Sequence, residues 1–90
     1  MQYFNWNNQK NKKLKKERNV SFEQVVFHIE KSDLLDIVIN PTEKYKHQKI
    51  FIVKINEYAY LVPFVESDKE IFLMTIIPSR KATKMYIEKK

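Results

Sequence analysis

Ninety residues with a formal charge of +6, no glycine and no cysteine allow one small domain with a modest core. Without cysteine there is no disulfide, thiolate nucleophile or cysteine-based zinc site, and without glycine there is no Gly-rich phosphate loop. No run of eighteen apolar residues occurs and polar residues follow Met1, so neither a membrane span nor a signal peptide is expected; with no disulfides, the cytoplasm is the expected location.

Tyr3 to Trp6 alternates weakly and suits an edge strand. Asn7 or Asn8 then caps a helix from Gln9 to Arg18, built from good helix formers with Leu14 as its one large apolar residue. Asn19 stands where a left-handed residue ends that helix. Ser21 with Gln24 makes a capping box for a second helix. Phe22, Val25, Val26 and Ile29 form its apolar stripe; Phe27 falls off it, as a secondary core contact or an exposed aromatic. Ser32 and Asp33 end the helix, and Leu34 to Ile39 fits a strand broken by Asn40-Pro41. A polar loop covers 42–48. Lys49 to Ile55 reads as a central strand, Asn56-Glu57 as a tight turn, and Tyr58 to Val65 as the next strand. Pro63 within it marks an edge or a bulge. Glu70 to Ile77 is the last strand, Pro78-Ser79 closes it, and Arg80 to Glu88 fits a helix. Two helices followed by a strand meander predict an α+β fold. In it the two N-terminal helices pack on one face of a small antiparallel sheet, and a C-terminal helix follows.

The charge is uneven. Residues 1–18 carry +5, residues 80–90 carry +4, and the body between carries −3. Cationic ends around an acidic body suit a nucleic acid or an acidic protein, and equally a solvated lysine surface. This fold could bring the two ends to a common groove.

The run Phe4-x-Trp6-Asn7-x-x-Lys10, followed by Val20-Ser21-Phe22-Glu23, resembles the opening of the BrnT ribonuclease toxins. The ending Ile76-Ile77-Pro78-Ser79-Arg80-Lys81-Ala82-Thr83 resembles that family's closing pattern, Ile-Ile-x-x-Arg-x-Ala-Thr. Asn7 stands where the family commonly has Asp, Leu14 where it commonly has Asn, and Glu17-Arg18-Asn19 where it often has Lys-His-Gly. The resemblance implies a RelE-like fold and a type II toxin that cleaves mRNA without metal or cofactor, on the ribosome or free, and arrests growth. It also implies a cognate ribbon-helix-helix antitoxin, through which alone the toxin would reach operator DNA. A non-catalytic nucleic-acid-binding or antitoxin-binding module is the alternative.

Metal-free RNA cleavage needs a base for the 2′-hydroxyl, cations for the phosphorane and an acid for the departing 5′ oxygen. Arg80, within the matched motif and at a strand end, is the leading catalytic candidate; a helix residue paired to an acid is the plainer reading. His47 is the acid–base candidate, or an ordinary loop histidine, and a neighbouring lysine could serve in its place. Tyr86 either contacts the scissile nucleotide or orders the last helix. Thr83 either joins the site or braces the start of the helix through a backbone bond. Tyr58 and Tyr60 stack on bases or pack the sheet. Lys10, Lys12, Lys13, Lys16, Lys46, Lys81 and Lys84 are the expected RNA contacts, with Lys15 and Arg18 beside them, and they would equally meet an acidic antitoxin. His28 is expected to be solvated. Asp33 and Asp36 lack the His or Cys partners that a metal site needs, so none is assigned.

Overall fold

Local chemistry sets the helices. Asn7 holds extended backbone and its side chain accepts the Lys10 N–H at 2.9 Å, opening α1 (Asn8–Arg18). Asn19, at φ 57°, returns its own N–H to the Lys15 carbonyl and ends it. The capping box then opens α2 (Phe22–Glu30). Ser21 Oγ accepts the Gln24 N–H, and Gln24 Oε1 accepts the Ser21 N–H. Phe22 and Val25 are fully buried, and Val26 and Ile29 flank them. Phe27 is 58% exposed, its ring against His28 and the Lys31 ammonium, so it is the exposed aromatic of the two readings.

The computed structural model describes residues 3–41, 44 and 48–88. Its strands are β1 (Tyr3–Trp6), β2 (Leu34–Ile39), β3 (Lys49–Ile55), β4 (Tyr58–Glu66), β5 (Glu70–Leu73) and β6 (Ile77–Pro78), and α3 (Arg80–Tyr86) follows. The sheet runs β1-β5-β4-β3-β2, with β6 also beside β4. The fold is α+β, but the sheet is mixed and not antiparallel throughout, because β1 pairs with β5 in parallel. Alternation tells which residues of a strand face the core and carries no direction, so the four residues of β1 gave no sign of this. Phe4 and Trp6 face the same core as α1 and α2, and Trp6 stacks on Phe22 with ring centres 5.8 Å apart.

The expected last strand is in fact two. Tyr60 and Leu61 pair with Pro78 and Ile77, whereas Phe64 pairs with Leu73. Val62 and Pro63 therefore lie opposite Met74, Thr75 and Ile76, and the extra residue makes a bulge. Pro63 is the reason. Its carbonyl accepts the Met74 N–H at 2.8 Å, so its missing N–H falls on this same side of β4.

Two cores result. Phe51, Val53, Ile55, Val62, Phe64, Leu73 and Ile76 meet Leu14, Val20, Phe22 and Val25 on one face. On the other, Ile52 and Ala59 meet Ala82, with Leu35, Val38, Leu61, Tyr86 and Ile87 around them. So α3 packs opposite to α1 and α2. No helix among the described residues is long and apolar enough to cross a membrane.

Candidate nucleic-acid site

The passage from β6 into α3 is anchored by two hydroxyls. Ser79 caps the helix by accepting the Ala82 N–H at 3.1 Å, and its own N–H donates to the Ala59 carbonyl. Thr83 is 2% exposed. Its Oγ1 donates to the Ser79 carbonyl at 2.8 Å and accepts the Ala59 N–H at 2.9 Å. Of the two readings of Thr83, the brace is what the geometry shows. The result is a fixed backbone from which exposed side chains project.

Arg80, Lys84 and Glu88 follow at four-residue intervals on one side of this segment. With Tyr58 and Thr83 they line a depression of about 240 Å³. Arg80 and Lys84 are exposed, Tyr58 is half-buried, and its ring meets Tyr60 edge-on at 5.7 Å. Tyr60 itself belongs to the core under α1 and α2, so packing is its role. The depression thus joins two cations, one carboxylate and an aromatic edge. That set can grip a phosphate and exchange a proton beside it.

Tyr86 lies on the other flank of α3. Its hydroxyl donates to Asp36 Oδ2 at 2.7 Å and ties the helix to β2. This bond, helped by the Ile37 N–H, holds the Asp36 carboxyl below its ordinary range. The same bond, with desolvation, pushes the Tyr86 phenol up. Tyr86 therefore orders the last helix. It lines an apolar groove of about 280 Å³ with Lys81, Met85, Val38 and Ile50.

The other expected residues are dispersed. His47 and Lys46 lie outside the described residues, and so does Tyr45. Lys10, Lys12, Lys13 and Lys16 are exposed on α1, which packs on the face opposite α3, and among the described residues none of them lines the depression that holds Arg80 and Lys84. Lys15 sits 3.6 Å from Glu23. Arg18 donates to the Ile76 carbonyl at 2.8 Å and pins α1 to the bulge. His28 is not solvated as expected. Its Nδ1 lies 2.7 Å from Asp33 Oδ2, and that bond holds the Asp33 carboxyl low. Asp33 and Asp36 each have a partner already, and no cluster of three metal-competent side chains forms among the described residues.

Sequence reasoning missed Glu88 and left Tyr58 between base stacking and sheet packing. Helical spacing carries Arg80 and Lys84 to one side of α3, but the helix ends at Tyr86, so Glu88 reaches the depression from beyond the Ile87 cap and no periodicity signalled it. Base stacking was one of the two readings of Tyr58, but its place beside α3 depends on β6 having brought the chain back to β4. Comparisons with protein-family models, with curated proteins and with solved structures returned no match to this chain.

Proposed function

We propose that this chain is the toxin of a type II toxin–antitoxin pair, with a RelE-like fold, and that it cleaves mRNA without a metal or cofactor. The observation that carries this reading is the depression uniting Arg80, Lys84, Glu88 and Tyr58 on an anchored helix start. Glu88 takes the proton of a ribose 2′-hydroxyl. The 2′ oxygen attacks the adjacent phosphorus and the bond to the 5′ oxygen breaks, leaving a 2′,3′-cyclic phosphate. Arg80 bears the charge of the phosphorane, and Lys84 gives a proton to the departing 5′ oxygen. The base of the neighbouring nucleotide stacks on Tyr58.

Induction in bacteria tests it. Wild type should arrest growth and fragment mRNA, and Arg80→Ala should relieve both. Harmless induction that leaves mRNA whole would end the nuclease reading.

The alternative, a non-catalytic module that binds nucleic acid or an antitoxin, is favoured by a different observation. Edge strand β2 leaves Ile37 and Ile39 exposed on one face, and on its other face Val38 lines the apolar groove beside Met85. A ribbon-helix-helix antitoxin would wrap this edge and cover both. A stable complex that forms equally with Arg80→Ala, in a protein without nuclease activity, would favour this alternative.

A further inference from the structure

Among the described residues, the sheet face that carries α3 is only half covered. Helix α3 lies over Ile52, Ala59 and Leu61, toward β2 and β3. Phe64 and Leu73 pair and both face the opposite core, so their neighbours Val65 and Phe72 face the uncovered half. Asn5, paired with Phe72, faces it too. At one margin of this open half, Phe72 and Met74 meet the flank of α1. Asn7, Gln9, Lys10 and Lys13 complete a broad cleft of about 420 Å³ there.

The composition of this cleft selects a ligand. Phe72 is half-buried and Met74 is 40% exposed, so an aromatic ring and a soft thioether form an apolar floor. Lys10 and Lys13 stand one helical turn apart on one side and are both exposed. None of the ion pairs described involves either. Floor and rim together match a nucleotide: a π-face for the base and two cations for successive phosphates. Charge also sets the path. Glu70 stands on the open face beyond Phe72, with its carboxylate accepting the Asn5 amide at 2.9 Å, and it repels phosphate from that side. A strand must therefore leave Phe72 toward α1.

We propose that this cleft is a binding subsite for single-stranded RNA, distinct from the Arg80 depression, with a base on Phe72 and phosphates on Lys10 and Lys13. It takes its ligand class from the reading of this protein as an RNA-cleaving toxin and takes nothing else from it. The subsite holds RNA by stacking and charge, so it is tolerant of sequence.

The test uses a fluorescent 2′-O-methyl oligouridylate, which cannot be cleaved, and measures its binding by anisotropy across a salt series. Phe72→Leu should weaken binding roughly tenfold. Lys10→Gln/Lys13→Gln should lower the slope of log affinity against log salt by about 1.4, at roughly 0.7 per phosphate contact in a single strand. A charge-matched control, Lys31→Gln/Lys54→Gln, should leave that slope unchanged. Thermal unfolding of each variant checks the fold, and if Phe72→Leu does not fold the lysine pair decides. Equal slopes for the two lysine pairs would overturn the proposal. So would full affinity in a folded Phe72→Leu, or a short acidic peptide that displaces the RNA and binds Phe72→Leu as well as wild type. If wild type cleaves no RNA yet binds it through Phe72, the nuclease reading falls and the subsite stands. If it cleaves while the cleft variants bind normally, the subsite falls alone.

Discussion

Thr83 joins the start of α3 to β4 through one buried hydroxyl. It donates to Ser79 at the helix start and accepts from Ala59 on β4. Thr83→Val keeps the shape and removes both bonds, leaving the Ala59 N–H buried without a partner. Such a loss costs about 1–3 kcal/mol, which should lower the urea midpoint with little change in m; Thr83→Ser should recover most of it. The Tyr86–Asp36 bond predicts a pH dependence. A carboxyl held below 3.8 in the folded chain adds stability that is fully present above 3.8 and lost as pH falls through the lowered folded value. A phenol held above 10.0 adds stability present below 10.0 and lost as pH rises through the raised value. The gap in urea midpoint between wild type and Tyr86→Phe should therefore be full near neutrality and shrink at both extremes. A gap that stays constant from neutral to acid pH would show that the bond is not formed. At this scale the sequence is partly readable. Asn19 and Asn56 are legible as left-handed positions, because asparagine tolerates positive φ. Ser32 and Glu57, at φ 76° and 63°, are not, because each sits where a glycine would serve and the chain has none.

Elements with their own caps and periodicity were the readable ones. Helix α2 announces itself by Ser21, Gln24 and the Phe22 stripe, and it forms with those residues in those roles. Phe22 has no exposed surface and carries the stacked Trp6 of β1. Phe22→Ala should therefore cost about 3–5 kcal/mol and release β1 from the sheet edge first. Amide exchange reads this directly: the Phe4 and Trp6 amides should lose protection before those of β3. Equal loss across the sheet would contradict the role given to Phe22. The parallel direction of β1 was illegible, because period-two alternation is the same in either sense. The face chosen by α3 was illegible too, since Ala82 and Thr83 are small and give no apolar stripe. The division of β5 from β6 was half legible. Pro63 flagged a bulge, and only the registers on either side show where it falls.

For the whole molecule, the sheet is what organises the charge. Among the described residues, the α1 lysines and Arg80, Lys81 and Lys84 lie on helices packed over opposite faces. Composition shows how much positive charge each end carries, but only topology shows that the helices carrying it pack on opposite faces. The proposed roles fall on separate surfaces: cleavage at the Arg80 depression and strand binding at the Phe72 cleft. The central claim is that Arg80 serves RNA cleavage directly. It is tested most directly by incubating purified protein with a single-stranded RNA in excess chelator and following fragment ends. The account predicts fragments ending in 2′,3′-cyclic phosphate, and a loss of roughly a hundredfold or more in rate for a folded Arg80→Ala. Intact RNA with wild type, or equal rates for wild type and Arg80→Ala, would contradict it.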